Sequence, residues 1–283
     1  MENELVSYKE MYNCLNLETL DIKVTSKDIV KNPIFLKDKV NENYKFIKKN
    51  IFFKVVSFIF YCFAFVVLFP LLSIFYIPKV KGKKNLKNVK NTVFVANHSF
   101  ILDCALLNTH VLKFKRPFFI VNKKNMQVPV ACSMIKLFKA VPIPDSIKAY
   151  KRFLYEVDTE LKNKKSILIY PEGSMWPYFA KIRPFNSGAF RFSVKNNVPV
   201  IPIVLSYRKP NWLYKLLGRK KPLININILS PVYPDPNNNL KEEENKINNI
   251  VFSKMTECFS VNNSYVYINE KALKKENNKN IQN

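Results

Sequence analysis

Residues 55–77, VVSFIFYCFAFVVLFPLLSIFYI, run for 23 residues without a charge. A helix needs about 20 such residues to cross the hydrocarbon core of a bilayer. The segment is apolar all round and rich in aromatics, which suits lipid better than the single buried stripe of a soluble helix. Pro70 removes one backbone donor and kinks a helix, so two readings stand: one span, or two shorter helices embedded from one side. Lys48, Lys49 and Lys54 precede the segment and Lys79, Lys81, Lys83 and Lys84 follow it. Flanks this symmetric give no orientation by the positive-inside rule. They do fit an insertion that enters and leaves one anionic leaflet surface.

The rest of the chain carries the same sign of charge. Forty-six Lys and Arg against 21 Asp and Glu leave a formal charge of +25, which favours anionic partners: acidic lipids, phosphorylated metabolites, an acidic carrier protein or nucleic acid. The nucleic-acid reading rests on charge alone. The 39 aromatic residues concentrate in apolar runs and no helix-turn-helix or RNA-binding motif stands out, so no nucleic-acid partner is expected. Five widely spaced cysteines without a C-x-x-C argue for reduced thiols and against a zinc cluster. Gly82, Gly173, Gly188 and Gly218 are the only glycines, and they cannot build G-x-G-x-x-G, a P-loop or G-x-S-x-G. Dinucleotide, P-loop and standard serine-hydrolase chemistry are excluded on that ground.

From Lys79 onward short apolar runs alternate with helical periodicity. Residues 92–96, 116–121, 166–170 and 198–205 read as buried strands, and 223–229 as an alternating one. Pro199 and Pro202 mark the fourth as an edge, bulged or irregular strand. Residues 146–163 place Ile147, Tyr150, Leu154, Val157 and Leu161 on one helical face, and helices are also predicted over 185–196 and 240–259. The expected class is α/β: a mixed, largely parallel sheet flanked by helices, preceded by an N-terminal membrane-embedded helical segment. The divisions are a polar N-terminal extension (1–49), the membrane-associated helical segment (50–78), the main domain (79–265) and a disordered basic tail (266–283).

The chemistry concentrates at predicted strand ends. VFVA runs into Asn97-His98, and Asp103 follows His98 by five. On one continuous helix the two side chains would diverge. They meet if His98 sits in the turn after a strand and Asp103 opens the next helix, where Asn97 and Ser99 are capping-type residues and the helix dipole favours a carboxylate. Asp103 would then take the Nδ1–H of the imidazole and leave Nε2 free as a base. The pair alone fits a structural histidine with a capping Asp equally well. Glu172 and Gly173 of YPEGSMW also sit at a strand end, where ligands gather in α/β sheets. RPFNSGAF at 183–190 runs into a helical pattern close to Gly188.

In these blocks the chain resembles the glycerolipid acyltransferases, the 1-acylglycerol-3-phosphate acyltransferases among them. NHSFILD matches the family's N-H-x-x-x-x-D block, PEGS its P-E-G-[TS] block, PFNSGA its P-F-x-x-G-[AS] stretch and VPVIP its proline-containing block; Val80 and Gly82 match its opening V-x-G. The similarity covers about residues 79–210 in the family's order, so the main domain is read as an acyltransferase domain. The resemblance implies His98 and Asp103 as the catalytic pair, with Glu172, Gly173 and Ser174 shaping the acceptor pocket. Two departures affect the acceptor's phosphate. The arginine that usually follows E-G-T is Met175 here, and AVPIPDS at 140–146 lacks the arginine of the usual F-I-x-R. The replacement cations weighed are Lys123, Lys124, Lys181 and Arg183, with Arg183 preferred because a guanidinium grips phosphate bidentately.

The resemblance implies a membrane-associated transfer of an acyl chain from acyl-CoA or acyl-carrier protein to a lysophospholipid hydroxyl, forming phosphatidic acid from lysophosphatidic acid. Glycerol-3-phosphate or another lysophospholipid is the alternative acceptor, and a non-catalytic lipid binder the alternative class. No metal or redox cofactor is expected. The expected place is the cell membrane, with the catalytic domain on the cytoplasmic side of the bilayer.

Overall fold

The structure, a computed structural model, describes residues 6–25, 27–28, 40–126 and 129–281. Parts of the predicted N-terminal extension (1–5, 26 and 29–39) lie outside the described residues. Seven strands form one sheet: β1 (Lys79–Lys81), β2 (Val93–Ala96), β3 (Phe118–Asn122), β4 (Ala140–Ile143), β5 (Ile167–Ile169), β6 (Val200–Arg208) and β7 (Leu223–Ile228). Their order is β1-β7-β6-β2-β5-β3-β4, and every neighbouring pair is parallel except β6–β7. Among the described residues the helices are α1 (Tyr8–Asn13), α2 (Ile22–Thr25), α3 (Ile51–Tyr76), α4 (Asp103–Leu107), α5 (Pro129–Leu137), α6 (Ile147–Lys162), α7 (Arg191–Asn196), α8 (Trp212–Leu216), α9 (Leu240–Asn262) and α10 (Glu270–Ile281).

The apolar runs predict the central strands because both faces of the sheet are covered. Val93 and Val95 point into a core with Phe153 and Val157 of α6, Phe192 of α7 and Ile247 and Val251 of α9. Phe94 and Ala96 point the other way, against Leu72 and Tyr76 of α3 and Leu106 and Leu107 of α4. The alternation along one four-residue strand thus divides the helices between two layers.

Four expectations are corrected. For the run containing Pro202 the edge reading is excluded, because β6 lies between β7 and β2, and the irregular-strand reading is the one observed. The ladder of β6 with β7 begins at Ile203–Ile228, and the next contact is a single bridge at Val200–Val232. Pro202 falls in the gap, where a missing N–H costs no ladder bond, while its carbonyl accepts from Leu229 N at 2.9 Å. In α6 the buried face is Ala149, Phe153, Val157 and Leu161, whereas Ile147 and Tyr150 are exposed. Val157 and Leu161 keep their places, and in the first half of the helix the buried face turns to Ala149 and Phe153 in place of Ile147 and Tyr150. The predicted disordered tail is helical over Glu270–Ile281. Glu276 accepts from the backbone of Tyr8 at the first turn of α1, and Tyr12 OH accepts from Asn269 N, so the two chain ends support each other. AVPI, unmarked as a strand in the sequence, adds to the sheet edge beside β3.

Residues 51–76 make one helix rather than two. Pro70 deprives only the carbonyl of Val66, an exposed residue, of its partner. The helix is about 39 Å long and lies lengthwise on the domain. Ser57, Tyr61, Ala64, Leu72 and Tyr76 form its buried face. Near one end Ser57 Oγ donates to Leu137 O at 2.6 Å. Near the other, Ser73 Oγ meets His110 Nε2 at 3.0 Å and the Tyr76 ring packs on Phe100 at 4.7 Å. Ile51, Phe52, Ile59, Phe63, Val66 and Ile74 are exposed on the opposite face. The start of α3 therefore neighbours the amino ends of β3 and β4, and its end lies beside the carboxyl end of β2.

Candidate active site

β2 ends at Ala96, and the chain crosses to α4 through a loop that carries His98. Asn97 pins the loop to β6: its Nδ2 donates to Leu205 O at 2.9 Å and its Oδ1 accepts from Leu205 N at 2.8 Å. Neither Asn97 nor Ser99 caps α4, whose preceding residue is Leu102. Ser99 is held from the other side, where the Tyr207 hydroxyl donates to its Oγ at 2.6 Å. Backbone N–H groups of Trp176 and Tyr178 donate to the carbonyls of His98 and Ser99 at 3.2 and 2.7 Å. The loop has little freedom.

Asp103 is the first residue of α4, and its Oδ2 stands 2.6 Å from His98 Nδ1. The strand–turn–helix corner predicted from the spacing is present. Asp103 is buried, while the His98 side chain keeps 27% of its surface exposed. Nε2 makes no hydrogen bond with the described residues. The second carboxylate oxygen is also occupied, since Tyr170 OH donates to Oδ1 at 2.9 Å. The Tyr170 ring stacks on the imidazole, with centroids 4.3 Å apart and planes 21° apart. Burial, and then the neighbouring Asp103 charge, push the Tyr170 phenol well above its ordinary pKa. It stays a proton donor to Asp103. Tyr170 was missed in the sequence. The available signal was its place at the end of β5, one residue before Pro171.

Glu172 lies buried behind the loop. Its Oε2 accepts from His98 N at 3.2 Å and from Arg183 Nη2 at 2.8 Å, and its Oε1 accepts from Arg183 N at 3.1 Å. Arg183 Nη1 donates to Ser174 Oγ at 2.8 Å, Nη2 donates to Ser174 O, and the guanidinium lies 4.9 Å from the centre of the Trp176 ring. Desolvation lowers the Arg183 pKa, with the Glu172 charge opposing it. This corrects two expectations. Arg183 is only 1% exposed and grips Glu172 rather than a ligand's phosphate. Glu172 and Ser174 brace the His98 loop from within instead of lining an acceptor pocket. Gly173 makes the turn between them at φ +77°. Its N–H is already donated to Tyr170 O, and a Cβ there would stand 3.0 Å from Asn186 Nδ2.

The other candidate cations are engaged too. Lys123 pairs with Asp145, Lys124 Nζ stands 3.4 Å from Asp28 Oδ2, and Lys181 Nζ donates to Leu17 O at 2.5 Å. Lys123 and Lys124 directly follow β3 and so share with His98 the carboxyl end of the sheet. Residues of the N-terminal extension close over the far side. Val6, Met11 and Cys14 pack on Trp176 and Phe179, and Trp176 Nε1 donates to Lys27 O at 2.8 Å.

A mixed α/β sheet with a carboxylate-oriented histidine beyond the carboxyl end of a central strand fits an acyltransferase-type domain. Residues 77–206 match the family model described as Acyltransferase. That match spans just under half of the chain and supports the resemblance to the glycerolipid acyltransferases. The chain is 28% identical over 137 residues to the 1-acyl-sn-glycerol-3-phosphate acyltransferase BAT2, chloroplastic, of Brassica napus, a match covering 46% of this chain and 38% of that relative. The chain thus aligns with well under half of that relative's length. Among solved structures it is similar to the 1-acyl-sn-glycerophosphate (LPA) acyltransferase PlsC from Thermotoga maritima. The TM-score is 0.52 at 22% identity, covering 76% of this chain and 83% of that one. At that identity the likeness speaks for the fold.

Proposed function

We propose that this protein is an O-acyltransferase at a membrane surface, moving an acyl chain from an acyl thioester to the free hydroxyl of 1-acylglycerol-3-phosphate. The observation that carries the reading is the 2.6 Å contact of His98 Nδ1 with Asp103, which leaves Nε2 unbonded on a partly exposed ring. Nε2 takes the hydroxyl proton as the acceptor oxygen attacks the thioester carbonyl. Asp103 stabilises the imidazolium that results. Collapse of the tetrahedral intermediate breaks the C–S bond, and the imidazolium returns the proton to the departing thiolate. The acyl donor is CoA- or carrier-protein-linked, and both carry phosphate that suits a basic surface. Lys123 and Lys124 are the partly exposed cations at this end of the sheet and the candidates for the acceptor's phosphate.

The exposed apolar face of α3 supports a domain lying against one leaflet, where the lipid acceptor resides. We assign the cell membrane, with the domain on the cytoplasmic side. Met175 in the place of the family's arginine favours one second reading, a different phosphorylated acceptor such as glycerol-3-phosphate or another lysophospholipid. The test is transfer by purified protein in detergent, with labelled acyl-CoA or acyl-carrier protein and a panel of such acceptors. Lysophosphatidic acid is expected to be the best acceptor and His98→Ala to be inactive. Equal transfer by His98→Ala sinks the mechanism. Carbonate-resistant membrane association is expected to disappear when residues 50–78 are deleted.

A further inference from the structure

A cavity of about 440 Å³ opens at the other end of the sheet, where β3 and β4 begin and α3 starts. Eight of its lining residues are Lys or Arg, and Glu160 is the only acidic one. Its walls include Lys48 and Lys54 from the run into α3, and Arg116, Lys136, Lys139 and Lys165 from the domain. None of these six is within salt-bridge distance of a carboxylate among the described residues. Four lie over rings instead: Lys48 over Phe53 at 4.6 Å, Arg116 over Tyr61 at 4.9 Å, Lys136 over Tyr44 at 5.6 Å and Lys139 over Phe118 at 5.0 Å. Two are fixed in place. Arg116 Nη2 donates to Ser57 Oγ at 2.8 Å, and Lys139 Nζ donates to Arg116 O at 3.1 Å. Arg116 and Lys139 both hold left-handed backbone, at φ 42° and 63°, which side-chain-bearing residues adopt sparingly.

Burial, then the charges of Arg116 and Lys165, lower the Lys139 pKa to about 8. Lys54 adds to this and Glu160 opposes it. Converged cations that a protein leaves without counter-charge repel one another, and an anion of matching size relieves the repulsion. The cavity is large enough for a small ligand. Phe53, Lys54 and Ser57 of α3 line it, and Ile51, Phe52 and Val55 of the same first turns are exposed apolar residues outside the lining. A ligand with a phosphate in the cavity and hydrocarbon beside α3 matches both surfaces.

We infer that this cavity binds the phosphate of an anionic phospholipid headgroup, at a site separate from the catalytic histidine and at the opposite end of α3. Such a lipid fixes the second end of the helix on the bilayer, so that the catalytic end faces the surface in a set orientation. The inference rests on the membrane reading of α3 but not on acyl transfer.

The experiment measures partition of the full chain onto phosphatidylcholine vesicles with and without 20% phosphatidylglycerol, at fixed ionic strength. Neutral vesicles report the apolar face alone, and the increment from phosphatidylglycerol reports the cavity. The variant Lys54→Gln/Lys139→Gln/Lys165→Gln is expected to keep neutral binding and to lose on the order of tenfold of the increment. The control Lys151→Gln/Lys241→Gln/Lys254→Gln, on α6 and α9 outside the cavity's lining, is expected to keep both, and Lys139→Arg to keep the increment. The wild-type increment is also expected to fall between pH 7 and pH 9, as Lys139 loses its proton while lysines of ordinary pKa hold theirs. Equal losses in the two triple variants would mean diffuse charge and overturn the site. If inorganic phosphate raises the unfolding temperature of wild type but not of the cavity variant, while vesicle binding is the same in both, the occupant is free phosphate and the lipid assignment fails. Absence of binding to both vesicles removes the membrane reading itself, a result distinct from loss of the increment alone.

Discussion

The two ends of the sheet treat charge in opposite ways. At the carboxyl end each charge near the histidine has a partner: His98 with Asp103, Arg183 with Glu172, Lys123 with Asp145 and Lys124 with Asp28. At the amino end Lys54, Lys139 and Lys165 converge with no carboxylate at ion-pair distance among the described residues. Pairing fixes geometry, because a buried ion pair with satisfied hydrogen bonds holds one arrangement. The Glu172–Arg183 pair uses this to clamp the backbone of His98, so that Nε2 alone is left to act. Unpaired cations fix nothing by themselves and leave their field for a ligand. The same excess of positive charge thus serves positioning at one end and recognition at the other.

The sharpest way to break this contrast is His98→Ala, for which we expect kcat/KM to fall by about 10²–10⁴-fold in the detergent assay, with the fold intact by circular dichroism. Arg183→Ala comes next. It leaves the Glu172 carboxylate buried without its counter-charge, and the expected loss is about 3–5 kcal/mol of stability in denaturant unfolding. Adding Glu172→Gln should recover part of it. If Arg183→Ala is instead stable and raises only the acceptor's KM, the arginine binds phosphate after all and the clamp is wrong.

Tyr170→Phe strips one donor from a buried carboxylate oxygen, with an expected cost of about 1–3 kcal/mol in stability. We further expect kcat to drop by about tenfold with the acceptor's KM unchanged. A carboxylate relieved of the phenol holds the imidazole proton more tightly, so the acidic limb of the kcat/KM profile should move to higher pH. An unmoved limb would reduce Tyr170 to packing.

The smallest effect tests the amino end. The folded-state pKa of Lys139 is lowered, so its protonated form opposes folding. Folding stability should therefore rise as pH climbs from about 8 towards the ordinary lysine pKa of about 10.4. Lys139→Gln should raise the unfolding temperature by a few degrees at pH 7, with the gain vanishing above pH 10. A loss of stability at pH 7 would mean that the bond of Lys139 Nζ to Arg116 O outweighs the repulsion among the cations.

Much of this was legible in the chain because it depends on local pattern. The runs at 92–96, 116–121 and 166–170 are apolar throughout because layers cover both faces of the sheet, and such runs mark buried strands wherever they occur. The five-residue step from His98 to Asp103 excludes one helix face and leaves the corner that is observed. Arg183 shows where local pattern stops. Its sequence position is compatible with a solvent-facing guanidinium or a buried one, and only the approach of residues 172–176 from another strand end decides between them. Pro202 is similar, since whether a proline interrupts a sheet depends on where its neighbour's ladder ends. Tyr170 carries no signal of its own beyond its place at the end of β5, since its hydroxyl matters only through a carboxylate 67 positions away.

By itself the sequence determined five of the seven strands, the apolar helix, the excess of positive charge and the His98–Asp103 corner, all consequences of local pattern. Tertiary structure alone decided which charges are paired and which are left open. Burial and ion-pair distance are set by segments far apart in the chain, and those distances separate a cation that braces a loop from one free to hold a phosphate.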